Sequence, residues 1–148
     1  MARKQLGTSA SNSVDTATKG YIDAGSATLS NKTLANPTVT NYTEGVVSLG
    51  TVTTTCALNL TSGTMQTATL TASTACTFTM PTVAAGKSFI LLLKQDATTG
   101  GGTATFTGVK WNIAGAPTIT AAAGTMDLLS FFSDGISWYG SYAQGYTP

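Results

Sequence analysis

In the stretch that holds Val52, Thr54, Cys56, Leu58 and Leu60, every second residue is apolar or β-branched, and this two-residue period returns along most of the chain beyond residue 44. Such a period sends alternate side chains to opposite faces of an extended strand, whereas a helix repeats its apolar face every 3.6 residues. Gln66, Ala68, Leu70 and Ala72 form a second set, Cys76, Phe78 and Met80 a third that Pro81 ends, and Phe89, Leu91 and Leu93 a fourth. In the fourth, Ile90 and Leu92 make the opposite face apolar as well, the pattern of a strand covered on both sides. Further strands are expected at Thr103–Phe106, Val109–Ile113, Thr118–Thr120, Met126–Phe132 and Ile136–Tyr142. Even spacing with Gly-rich turns predicts an all-β fold, an antiparallel β-sandwich or jelly roll.

The last two strands meet through Ser133-Asp134-Gly135, and Asp-Gly is a hairpin signal because both residues tolerate positive φ. Met126, Leu128 and Phe132 fall on one face of the first of them, Leu129 and Phe131 on the other, with Trp138 following the turn. One of these faces meets the core. The other meets either a second sheet of the same chain or another subunit. Leu128, Leu129, Phe131, Phe132 and Trp138 are therefore candidates for core or interface.

Hydrophobic residues make up 42% of the 148 but charged residues only 9%, against roughly a quarter in an ordinary soluble domain. Thr supplies about a fifth of the chain, and its branched Cβ suits a pleated sheet. The net charge is +1 and the largest basic cluster is Arg3-Lys4, which argues against nucleic acid as a partner. A surface so weakly charged suits burial in an assembly. The longest apolar run, Phe89 to Leu93, is far short of the roughly twenty residues that span a bilayer, and the first residues carry no apolar signal core. No membrane contact and synthesis in a host cytoplasm are the expectations.

Residues 1 to 13 are polar and read as an arm that only a partner surface would order. From Ser13 or Asp15, which can cap a helix, Val14, Ala17, Thr18, Tyr21 and Ile22 recur at helical spacing until Gly25. One short helix is expected there. Asn36-Pro37 disfavours helix in the next segment. The chain thus divides into an N-terminal arm and helix (1–25), an extended connector (26–43) and a β domain (44–148).

With no histidine, Ser-His-Asp and Cys-His catalysis and His-containing zinc sites are ruled out. The six carboxylates, Asp15, Asp23, Glu44, Asp96, Asp127 and Asp134, are scattered over different elements, and a glycosidase pair among them is disfavoured. Asp96 reads as a solvated turn residue, and Thr99 to Thr103 as a flexible hairpin loop without the lysine or helix of a P-loop. Cys56 and Cys76 show no metal-binding spacing; free thiols in strands are expected, with a disulfide opposed by the reducing cell interior. Trp111, Trp138, Tyr139, Tyr142 and Tyr146 suit core packing and subunit contacts, with a carbohydrate platform as the sharper use. No enzymatic activity, cofactor or metal is expected.

Three segments carry a resemblance. Val14-Asp15-Thr16-Ala17-Thr18-Lys19-Gly20-Tyr21-Ile22-Asp23 is similar to the D-A-A-T-K-x-Y-V-D stretch near the start of phage tail-fibre and head-fibre proteins. Leu29-Ser30-Asn31-Lys32-Thr33-Leu34-Ala35-Asn36-Pro37-Thr38-Val39-Thr40 resembles the L-T-N-K-T-L-x-N-P-T-I-T segment that often comes after it. Met126 to Gly140, with the final Gly-Tyr-Thr-Pro, resembles the closing hairpin of small phage virion domains. The resemblance implies a homotrimer on the virion surface, its first segment attached to the particle and its β domain outward. Arg3, Lys4, Leu6, Val14, Thr18, Tyr21 and Ile22 are the anchoring residues on that basis, with the major capsid protein or another virion protein as partner. The passage from arm to β domain without a long repetitive shaft favours a capsid decoration, cement or head-fibre protein. The alternative is a tail or baseplate fibre whose β domain binds a host-surface glycan.

Overall fold

The computed structural model describes residues 35–148. The expected arm and helix, with Arg3, Lys4, Leu6, Val14, Thr18, Tyr21 and Ile22, and the first part of the expected connector lie outside the described residues. Asn41–Pro148 makes up one unit. Its strands are β1 (Val46–Val52), β2 (Thr55–Ala57), β3 (Met65–Leu70), β4 (Ala75–Thr79), β5 (Ser88–Lys94), β6 (Thr103–Thr107), β7 (Val109–Lys110), β8 (Met126–Ser133) and β9 (Trp138–Tyr146). No helix occurs among the described residues.

The all-β expectation holds, and the antiparallel sandwich or jelly roll is corrected. Six strands form one sheet in the order β1-β3-β5-β8-β9-β7, and three form a second in the order β2-β4-β6. From β1 to β6 the chain alternates between the sheets, so each strand pairs with the strand one coil later and runs parallel to it. Antiparallel pairing is confined to β5 with β8 and β8 with β9, while β7 joins β9 in parallel. The result is a short β-solenoid-like stack closed at one end by the β8–β9 hairpin.

The reason lies in the corners. Between Val52 and Thr55 the chain turns into the other sheet instead of doubling back, and the next coil holds the corner: the Thr71 N–H donates to the Val52 carbonyl at 3.0 Å and the Thr77 N–H to the Thr54 carbonyl at 2.8 Å. Of the residues 53 and 54 between the two strands, neither has the positive φ that a tight two-residue hairpin requires. Of the expected strands, Val109–Ile113 shrinks to Val109–Lys110, and Thr118–Thr120 is loop.

The inward positions of both sheets make one core, in which Leu70, Phe78, Leu91 and Leu129 are fully enclosed. Aromatic rings tie its layers together: Phe89 stacks on Phe131 at 4.7 Å and meets Trp138 edge-on at 5.3 Å, while Phe106 stacks on Phe78 at 5.0 Å. The Trp138 indole N–H donates to the Pro81 carbonyl at 2.8 Å, so the ring is buried without an orphaned donor.

The Gly-rich stretch is also corrected, from a flexible hairpin loop to the packed corner between β5 and β6. Gly102 is buried, and a Cβ there would lie 2.7 Å from the Leu70 Cβ. The buried Gln95 clamps it, accepting from the Gly102 N–H at 2.9 Å and donating to the carbonyls of Gly102 and Thr120, each at 2.8 Å.

Candidate functional site

Strand alternation divides the six-stranded sheet into an inner face that is core and an outer face that nothing covers among the described residues. β5 turns Phe89, Leu91 and Leu93 inward and Ile90, Leu92 and Lys94 outward. β8 turns Asp127, Leu129, Phe131 and Ser133 inward and Met126, Leu128, Ser130 and Phe132 outward. The candidates for core or interface therefore separate. Leu129, Phe131 and Trp138 are core, each at most 2% exposed, and Phe132 is 51% exposed. Leu128 joins Phe132 on the outer face.

Register assembles the outward residues into rows across the sheet. One row holds Val46, Met65, Ile90, Ser130 and Ser141; the next holds Ser48, Thr67, Leu92, Leu128 and Ala143. At the hairpin end a further row holds Ser88, Phe132, Tyr139 and Lys110. Half-buried Met65, Ile90, Leu92 and Leu128 lie in the middle among Ser and Thr side chains, and Lys94 and Lys110 are the charged residues on the outward positions of these strands. A patch of this kind on a folded surface is the physical mark of an interaction site.

The hairpin end is shaped. Ser88, Ser130, Phe132, Tyr139 and Ser141 border a shallow groove of about 380 Å³, in which the Ser130 and Ser141 hydroxyls lie 2.6 Å apart. The turn beyond it is held by Asp134, whose Oδ1 accepts from the N–H groups of Ile136 and Ser137, both at 2.8 Å, while Oδ2 accepts from the Tyr139 hydroxyl at 3.0 Å. These bonds, those of the Ser137 and Ile136 backbone foremost, hold its carboxyl below the usual Asp range. The hydrogen bond to Asp134 and its negative charge raise the Tyr139 phenol. The expected hairpin is thus present, with a four-residue turn between the paired Ser133 and Trp138.

Of the five aromatic residues singled out, Tyr139 and Tyr146 are exposed. Trp138 is core; Trp111 and Tyr142 pack against that core and against each other, with centroids 6.0 Å apart. Those three are not a platform. Asp96 accepts from the backbone N–H groups of Thr98 and Thr99 in the turn after β5, which lowers its pKa. Cys56 and Cys76 are free thiols, raised by burial; Cys56 pairs in register with Phe78, so the two cysteines are offset along their strands.

Two features escaped the sequence reading. Asp127 is a carboxylate only 1% exposed, and only its parity with Leu129 and Phe131 would have flagged it. Oδ1 accepts from the Gly145 N–H at 2.9 Å, and Oδ2 from the Thr120 N–H at 2.8 Å and the Gln144 side chain at 3.2 Å. It fastens the 118–120 loop to β9 where the β8–β9 register slips. The second is the extension of the apolar face across β3 to Val46, which required the parallel register to be known.

Among the described residues no group of three or more Cys, Asp or Glu side chains is placed to hold a metal ion, and no helix is long and apolar enough to cross a membrane. Comparison with models of known families, with curated proteins and with solved structures gave no match.

Proposed function

We propose that this chain is a non-enzymatic structural protein of a bacteriophage virion, a trimeric capsid decoration, cement or head-fibre protein anchored by its N-terminal arm. The observation that carries the reading is the apolar outer face of the six-stranded sheet, from Met65 through Ile90 and Leu92 to Leu128, in a chain with 9% charged residues. Left bare, that face invites aggregation. Covered by neighbouring copies, it becomes the body of an oligomer. The similarity of residues 14–23 and 29–40 to phage fibre proteins, and of 126–140 to the closing hairpin of small phage virion domains, suggests the virion setting.

Such a protein acts by mass action. It binds the assembled shell and not the free subunits, so each copy stabilises the shell by RT ln(1 + [L]/Kd). Three arms on one body engage three sites together, which raises their effective concentration and lets weak arms hold firmly. Deleting residues 1–25 tests this: the expected product is a folded oligomer by circular dichroism and light scattering that no longer sediments with particles. Retained particle binding overturns the arm as anchor.

The groove beside Phe132 and Tyr139 favours a second reading, a tail or baseplate fibre protein that binds a host-surface glycan. Exposed aromatic rings stack on the apolar face of a sugar, and the hydroxyls of Ser88, Ser130 and Ser141 match its polar edge. Glycan-array binding that Tyr139→Ala abolishes supports this reading; an array without signal removes it. Electron microscopy of labelled virions separates capsid from tail.

A further inference from the structure

Asp134-Gly135 is the one Asp-Gly pair in the sequence, and no Asn-Gly pair occurs. With no side chain on the glycine, its nitrogen is open to attack the carboxyl carbon of the preceding aspartate. The structure sets this pair in a turn whose two ends are fixed. Ser133 is buried, its N–H donating to the Lys87 carbonyl at 2.8 Å and its carbonyl accepting from the Gly86 N–H at 2.9 Å; Trp138 is buried and held through its indole N–H on Pro81. Between these anchors the Asp134 side chain is exposed. Its oxygens accept from the Ile136 and Ser137 N–H groups and the Tyr139 hydroxyl. All three donors follow the glycine in the chain, so the carboxylate is drawn forward, past the Gly135 nitrogen. That nitrogen donates its own hydrogen to Ser133 Oγ at 3.1 Å, and Gly135 lies against Ala85, where an added Cβ would stand 3.2 Å from the Ala85 Cβ.

We infer that Asp134 is a site of spontaneous isoaspartate formation that the folded turn keeps shut, so that opening of the hairpin sets the rate of modification. In the reaction the Gly135 nitrogen bonds to Asp134 Cγ, a Cγ–O bond breaks, and the nitrogen's proton leaves with the departing hydroxyl as water. Water then opens the resulting succinimide. Cleavage at Cγ returns aspartate, and cleavage at the main-chain carbonyl carbon leaves isoaspartate, whose backbone is longer by a carbon atom. The folded turn opposes the first step twice. An ionised carboxylate has no hydroxyl to lose, and three hydrogen-bond donors favour the ionised form. Ring closure also brings Cγ back onto the Gly135 nitrogen, which breaks the forward bonds. The product cannot restore them: the turn between the paired Ser133 and Trp138 is longer, and the free carboxylate is the former main-chain group, so Tyr139 loses its partner.

Incubation of the full chain at neutral pH, folded and in guanidinium chloride, tests this, with isoaspartate counted by enzymatic methylation and placed by electron-transfer mass spectrometry. The denatured chain is expected to accumulate isoaspartate at Asp134 at least about tenfold faster than the folded one, as in any reaction confined to an opened minority. Tyr139→Phe, an exchange at an exposed ring that keeps the fold by circular dichroism, is expected to raise the folded rate about two- to fivefold and to leave the denatured rate unchanged. Equal rates in the folded and denatured unmodified chain overturn the gating. Isoaspartate in neither overturns the site, and a folded Tyr139→Phe chain no faster than the unmodified one overturns the carboxylate bonds as the gate.

Discussion

Phe131 and Phe132 are neighbours on β8 that belong to different surfaces: Phe131 is 2% exposed, and Phe132 is 51% exposed on the outer face. Phe131 touches the core rings, with Phe89 at 4.7 Å, Phe106 at 5.5 Å and Trp111 at 6.0 Å between centroids. Phe131→Asp places a carboxylate among them at a cost of at least several kcal/mol, comparable with the whole stability of a domain, about 5–15 kcal/mol. The expected outcome is an unfolded chain by circular dichroism. Phe132→Asp is expected to fold and to self-associate more weakly by sedimentation. The reverse pair of results means that β8 is turned the other way.

Asp127 accepts the backbone N–H groups of Thr120 and Gly145 from inside the protein. Asp127→Ala removes the acceptor from both N–H groups; Gly145 is exposed and Thr120 half-buried, so water replaces it in part and the expected cost is about 0.5–1.5 kcal/mol for each bond. Asp127→Asn keeps the volume but leaves one accepting oxygen, and falls between the two. Urea unfolding reads the stability, and hydrogen exchange at the Thr120 and Gly145 amides is expected to accelerate in both variants. Unchanged exchange there means that the loop is fastened by something else.

How these positions were legible differs from residue to residue. The parity of Leu129 and Phe131 against Leu128 and Phe132 was plain, because alternation is a local property of a strand and a buried face imposes it. The path of the chain was not. Val52, Thr54, Cys56, Leu58 and Leu60 keep one parity straight through a corner, so a turn between two sheets reads as one long strand. Parallel partners lie a full coil apart and at unequal steps, Val46 with Met65 and Met65 with Ile90, so no fixed repeat length betrays the stack. The same ignorance of register hid the row from Ser88 through Phe132 and Tyr139 to Lys110. Asp134, by contrast, declared its turn through the glycine after it, and Gly135 has a φ of 95°.

Gly140 lies on β9 directly under the Trp111 ring, and a Cβ there would meet Cζ3 and stand 2.8 Å from Cε3. Gly140→Ala is expected to displace that ring and to cost about 1–3 kcal/mol through overpacking. Loss of near-ultraviolet circular dichroism with retained far-ultraviolet signal is the expected signature. In a Trp111→Ala background the same exchange is expected to cost much less, because the obstacle is gone. Equal costs in both backgrounds contradict the contact.

Asp96 and Asp134 are both held below the ordinary Asp range by backbone N–H donors in their turns. A carboxyl with a lowered folded-state pKa stabilises the fold fully above its unfolded value and loses that contribution as pH falls through the folded value. Thermal stability is therefore expected to decline below the usual Asp range, and less steeply in Asp134→Asn. The same exchange removes the charge that raises Tyr139, so the phenol is expected to titrate lower by ultraviolet absorbance. An unmoved Tyr139 contradicts the Asp134 contact.

Coverage of the outer face by other copies of the chain, with Ile90, Leu92 and Leu128 at its centre, is the claim on which the proposed oligomer depends. Sedimentation equilibrium of the unmodified protein measures this directly. A mass of three chains that Leu128→Asp reduces to one is the predicted result. A single chain at every concentration, in both proteins, contradicts it.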